Sequence, residues 1–139
     1  MASKIFLDAN ILLDYALNRQ AYQQAKQILE MAVSGEVQAF TTASVVHITG
    51  HWLAKEFGTA FSKKILLTIL LDVKVIDIPH ETVIAALSSQ INDIEDSLQY
   101  YAAIHYNIDY FISRDKQLKK NGIPLLPVYT PEEFIQDFS

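Results

Sequence analysis

Lys4-Ile5-Phe6-Leu7-Asp8-Ala9-Asn10-Ile11-Leu12-Leu13-Asp14 is the stretch from which the fold is read. Its first four residues are a short, mostly apolar run, the signature of a buried strand. At Asp8 the period changes. Ile11, Leu12, Tyr15 and Ala16 recur at helical spacing, so a helix begins just after the carboxylate. A buried strand that yields to a helix at a single acid is the first step of a β-α alternation.

Working outward, the same alternation continues to the end of the chain. Helical spacing covers about 22–33, closed by Ser34-Gly35, and then about 43–56, stopped near Gly58, and 59–71. Strands are predicted at 37–41, 73–78, 109–113 and 125–129. The last of these follows Pro124 and carries Pro127, which cannot donate to a ladder, so it belongs at a sheet edge. Pro79 and His80 open a helix to about Ser88. Asn92 or Asp93 caps another that reaches about Tyr106. Thr130-Pro131-Glu132-Glu133 combines a Thr cap, proline at the first helical position and Glu three residues after the cap. Strands alternating with helices imply an α/β fold, a three-layer α/β/α sandwich around a mainly parallel sheet of about five strands. No repeat, linker or low-complexity tract divides residues 1–139, so one domain is expected.

Composition narrows the function classes. The chain has 139 residues, half of them hydrophobic and 19% charged, enough to bury a core without staples. It has no cysteine, which excludes disulfides and thiolate metal sites. The apolar run after Lys4 is too short for a signal peptide and Asp8 breaks it. The stretch from Ile65 to Leu71 is too short to span a bilayer. A cytoplasmic protein with no membrane association is the expectation. The net charge of −5 argues against broad electrostatic nucleic-acid binding. A local basic surface is expected instead at Arg114, Lys116, Lys119 and Lys120.

Ligand sites of such sheets lie beyond the C-terminal ends of the strands. Three acidic positions reach that edge: Asp8 after the first strand, Asp96 with Glu95 in the first turn of the helix after Asn92, and Asp115 after the fourth strand. Carboxylates about 4 Å apart repel by roughly 4 kcal/mol per pair at an effective dielectric of ~20. A divalent cation removes that cost, and all-oxygen ligands suit Mg²⁺ or Mn²⁺. Such an ion supports phosphodiester hydrolysis. Each acid has a plainer reading. Asp8 and Asp93 can serve as helix caps, Asp96 suits the helix dipole, and Asp115 suits a turn. Asp14, inside a helix, is structural. Only the combination favours chemistry.

These segments, taken in order, resemble the PIN domain family. Ile5-Phe6-Leu7-Asp8-Ala9-Asn10 resembles its opening strand, acid and x-Asn. Ile94-Glu95-Asp96-Ser97-Leu98-Gln99-Tyr100-Tyr101-Ala102 resembles the Glu-Asp-x-x-Gln-Tyr-x-Ala segment of one bacterial branch. Asp109-Tyr110-Phe111-Ile112-Ser113-Arg114-Asp115 and Thr130-Pro131-Glu132-Glu133-Phe134 resemble its later strand end and closing helix. The likeness implies a PIN fold and a Mg²⁺- or Mn²⁺-dependent endoribonuclease of the VapC toxin type, commonly dimeric and restrained by a small antitoxin protein. By position it implies that Asp8, Asp96 and Asp115 are metal ligands and catalytic, with Glu95 beside them. Asn10 and Ser113 would orient that set, and Arg114 and Lys116 would meet the RNA.

Two departures accompany the likeness. Many family members carry a Glu in the helix after the second strand, where Thr41-Thr42-Ala43-Ser44-Val45-Val46-His47-Ile48-Thr49 has no acid. Glu95 would compensate in part, or His47 would take that place and favour Mn²⁺. Branch members also place an Asp shortly after the Arg-Asn/Asp pair, where Gln117-Leu118 stands here. The alternative function is therefore an inert PIN domain that binds RNA or a protein. His47 and His51 share a helix face, yet without a third ligand they read as ordinary histidines. His105, Tyr100, Tyr101, Tyr106, Tyr110 and Phe111 read as packing, and Trp52 and Phe57 as core or interface anchors. A haloacid-dehalogenase-type phosphatase would need a second Asp where Asn10 stands. A response-regulator receiver would need an acid pair there.

Overall fold

Ile5, Phe6 and Leu7 have no solvent exposure, because the strand that carries them is the middle of the sheet. In the computed structural model, which describes residues 2–138, that strand is β1 (Ser3–Leu7). It pairs in parallel with β2 (Val37–Thr42) on one side and β4 (Tyr110–Ile112) on the other. β3 (Val73–Ile76) and β5 (Val128–Tyr129) form the two edges, giving the order β3-β2-β1-β4-β5 with every pair parallel. A strand buried on both faces must be apolar throughout, which is what Ile5-Phe6-Leu7 provides.

Parallel strands need crossovers, and helices supply them. α1 (Ala9–Ala16), α2 (Tyr22–Ser34), α3 (Ala43–Phe57) and α4 (Thr59–Ile69) precede β3. α5 (His80–Leu87) and α6 (Ile94–His105) lead to β4, and α7 (Lys116–Asn121) and α8 (Pro131–Phe138) flank β5. α1 packs on α2 and α3, and α5 packs on α6. The helices cover both faces of the sheet, so the architecture is the expected α/β/α sandwich.

Aromatic packing joins the two halves. The rings of Phe6 and Phe111 stack at 4.8 Å on adjacent strands, and Tyr100 of α6 lies 5.5 Å from Phe111. The buried Tyr100 hydroxyl accepts from the Ile123 N–H at 2.8 Å and donates to the Leu126 carbonyl. It thereby satisfies backbone groups of the turn before β5. Tyr110 touches Tyr129, Phe134 and Phe138. Tyr101 and Tyr106 pack against the core while half-buried.

Four readings change. β5 is two residues long, not five, because Leu126 is held in a turn to the Ile123 carbonyl and Pro127 has no N–H. The basic segment after Asp115 is a helix, α7, whose Leu118 is buried. Trp52 and Phe57 are exposed and not core. His105 is also exposed, edge-on to Tyr106, so it is not a packing residue.

Candidate active site

The order of the sheet reverses between β1 and β4. Ligands of open α/β sheets bind in the crevice at that reversal, beyond the carboxyl ends of the strands. The register decides which residues arrive there. Leu7 is level with Ile112, so Asp8 and Ser113, the next residues, leave the sheet side by side.

Each acid is then fixed by a helix start. Asp8 Oδ1 accepts from the Ile11 N–H at 3.2 Å and caps α1. Asp93 Oδ1 accepts from the Asp96 N–H at 2.9 Å and caps α6. Asp115 Oδ1 accepts from the Gln117 and Leu118 N–H groups at 2.9 and 3.1 Å and caps α7. In all three the cap uses Oδ1 alone. The structural and functional readings of these acids are thus compatible in one side chain. Ser113 is buried, and its hydroxyl oxygen accepts from the Asp115 N–H at 3.0 Å.

Asp8, Asn10, Asp93, Glu95, Asp96, Gln99 and Asp115 line one cavity of about 280 Å³, walled on other sides by Leu13, Ile48 and Trp52. The negative charges crowd one another. Burial pushes the Asp8 carboxyl up to about 6, with Asp14 adding to the rise and the Ser113 hydroxyl holding it down. Asp96 is pushed up to about 7, by burial first and then by Asp93, Asp115 and Asp8. Glu95 is raised by burial, against a hydrogen bond that its Oε1 receives from Gln99 Nε2 at 3.0 Å. The Oε1 of Gln99 is buried without a partner among the described residues.

The acids predicted from the sequence therefore come together. The two cations divide. Lys116 is exposed at the start of α7, next to Asp115. Arg114 turns away, to Asp14 and to Glu132 at 3.3 Å. Asn10 is exposed at the cavity wall. His47 does not occupy the place of the missing Glu. With His51 it lines a separate groove between α3 and α4, and its charge reaches the site only as a weak lowering of Glu95. The residues that α3 gives the cavity are Ile48 and Trp52. Gln99 and Asp93 were not read as cavity residues. For Gln99 the signal was present: it stands four residues after Glu95 and three after Asp96, on the same helix face.

A family model described as PIN domain matches residues 4–117. The chain belongs to the PIN domain family. Among solved structures with this fold is VapBC2 of Rickettsia felis bound to a DNA fragment from its promoter. It superposes with a TM-score of 0.71 at 18% identity, covering 91% of this chain and 98% of that one. PAE2754 of Pyrobaculum aerophilum gives 0.66 at 17% identity, covering 99% and 98%. VapC20 of Mycobacterium tuberculosis, a sarcin-ricin-loop-cleaving toxin, gives 0.68 at 15% identity, covering 86% and 95%. No curated protein sequence matches the chain.

PIN domains are generally divalent-metal nucleases. The donor chemistry of this cavity fits such an ion: only oxygen donors, acids raised first by burial and, at Asp96, by the neighbouring carboxylates, and one unpartnered buried amide oxygen. The donors are not drawn tight. Among the described residues no three acidic or histidine side chains stand where they would hold an ion together. No helix there is long and apolar enough to cross a membrane.

Proposed function

We propose that this PIN domain is an endoribonuclease that hydrolyses RNA phosphodiester bonds with Mg²⁺ or Mn²⁺, and that it is the toxin of a VapBC-type pair. The observation that carries the reading is the convergence of Asp8, Asp96 and Asp115, from three separate elements, on one cavity at the β1–β4 reversal. Asp8, Asp96 and Asp115, with Glu95, would hold the ion. Bound, it would neutralise the carboxylates and act as a Lewis acid toward the phosphodiester.

The chain's own groups prepare the rest. Ser113 ties Asp8 to the backbone of Asp115, so two ligands move as one. Gln99 fixes Glu95 by its amide N–H and turns a free carbonyl oxygen to the buried side. Outer partners of this kind are worth about 10- to 100-fold in metal affinity or activity. Lys116, exposed and next to Asp115, would meet a phosphate of the RNA. The partners follow from the same reading: RNA as substrate, a small antitoxin protein, and a second copy of this chain. Exposed apolar side chains on and after α4, Phe61, Leu67 and Leu71, supply surface for a protein partner. The cytoplasm is the compartment that suits an RNA-cutting toxin.

The open donor set and the apolar α3 wall favour a second reading, an inert PIN domain that binds RNA or protein. Calorimetry with Mn²⁺ and Mg²⁺, run on wild type and Asp8→Asn beside cleavage of single-stranded RNA, separates the two. Binding and cleavage that both vanish in the variant establish the nuclease. Neither in the wild type at millimolar metal establishes the binder.

A further inference from the structure

Trp52 is the only tryptophan in the chain, and it is not in the core. It is 46% exposed, yet it lines the same cavity as Asp8, Asp96 and Asp115. The Lys55 ammonium lies 4.7 Å over its ring, and His51 meets it edge-on at 5.5 Å. All three side chains project from one stretch of α3. A large ring left half in water costs hydrophobic free energy that burial would recover. Its position at the rim of an acidic cavity suits an occupant that is flat, apolar on its face and charged at its edge.

We propose that Trp52 is a stacking platform for one unpaired nucleobase of a single-stranded RNA, with Lys55 meeting a phosphate beside that base. The inference rests on the phosphodiesterase reading of the neighbouring carboxylates and adds which residue holds a base of that substrate. Three observations favour RNA over other flat ligands. The ring is continuous with the carboxylate cavity, so a base on Trp52 brings its own backbone to Asp8 and Asp96. Lys55 and Lys116 make no ion pair among the described residues, whereas Arg114 and Lys119 are both paired. Lys55 thus accompanies the ring on α3 and Lys116 follows Asp115 at the start of α7, so each side of the site has a cation for a strand's phosphates. A base held in a duplex has no free face to offer the ring, which selects single strands.

The single tryptophan makes the test direct. Short unstructured RNA is titrated in EDTA and indole fluorescence is followed. The expected result is saturable quenching, absent with an abasic strand and with the same sequence as a duplex. Trp52→Ala weakens RNA binding by about 5- to 150-fold, the span of one base stack, and raises KM more than it lowers kcat. Trp52→Tyr restores most of the affinity. No quenching, together with an unchanged KM in Trp52→Ala, overturns the proposal and leaves the ring to a protein partner. That failure is distinct from failure of the nuclease reading. Cleavage that is indifferent to Trp52 removes the platform alone, while quenching by RNA that is never cut removes the nuclease alone.

Discussion

Two acidic groups lie on either side of Arg114, and the chain treats them in opposite ways. On one side Asp14, buried in α1, receives Arg114 and has Arg19 at 3.9 Å, while Glu132 shares Arg114 and Glu133 binds Lys119 at 2.7 Å. Every acid there has a cation, and Glu133 is lowered by its hydrogen bonds from Lys119 and Thr130. On the other side Asp8, Asp93, Asp96 and Asp115 share a cavity with no cation among its lining residues, and Asp8 and Asp96 are raised. Three consecutive residues divide the groups: Ser113 is buried against Asp8, Asp115 lines the cavity, and Arg114 between them turns away. Paired acids tie α1 and α8 to the end of β4 and stabilise the fold. Crowded acids cost stability and persist where function needs them.

The largest expected effect therefore falls on activity at the crowded side. Asp8→Asn is expected to reduce RNA cleavage by more than about a hundredfold, beyond the range for outer partners. Asn caps a helix as well as Asp does, so α1 stays intact. Metal-free stability is expected to hold or rise in the variant. Paired cleavage rates and thermal melts measure both, and a parallel fall in the two would erase the contrast between the groups.

Next comes the pH dependence of metal-free stability. The Asp8 pKa rises from 3.8 unfolded to about 6 folded, so the folded state binds more protons between those values. Stability is then full at low pH and is lost as pH climbs through about 6, and further through the raised Asp96 near 7. For the buried Asp8 the loss is on the order of 2–3 kcal/mol. Asp96 is half-exposed and adds less. Urea melts between pH 4 and 8 check the slope, which Asp8→Asn should flatten and saturating Mg²⁺ should oppose.

How much of this was legible follows from what each feature depends on. Asp8 was visible because period and residue type change together at one position, and the parallel sheet then forces where it emerges. Asp96 and Asp115 were visible through their motif and their place after an expected strand. The helix α7 was not, because Lys116-Gln117-Leu118-Lys119-Lys120 has one apolar residue and no period; its start depends on the Asp115 cap and on burial of Leu118. The partner of Arg114 was hidden for a different reason. Asp14 is a hundred residues away, and only the β1–β4 register brings the two together. Trp52 was read as a core or interface anchor, and only the core half fails, because an aromatic at helical spacing reads alike whether its face meets the core or a cavity.

The paired side gives a smaller effect. Asp14→Ala removes the buried carboxylate but leaves Arg114 30% exposed and still bound to Glu132. The cost is expected at about 1–3 kcal/mol, below that of breaking a fully buried pair. Chemical denaturation measures it, and specific activity per folded molecule should survive. A variant of normal stability but no activity would instead move Asp14 to the catalytic side.

The smallest effect tests the sign of the contrast. Thr130 and Glu133 form a reciprocal cap at the start of α8: the Glu133 N–H donates to the Thr130 hydroxyl at 3.1 Å, and the Thr130 N–H donates to Glu133 Oε1 at 2.9 Å. Thr130→Ala is expected to cost about 1 kcal/mol. Glu133 is held below its ordinary 4.5, so its contribution is present above that value and lost as pH falls through the lowered pKa. This is the reverse of Asp8. Thr130→Ala removes one source of the lowering and should shrink the acid-side loss, leaving the rise toward alkaline instability untouched. If both limbs of the stability curve moved together in this variant, the two acidic groups would be coupled through β4, and the division at Arg114 would not hold.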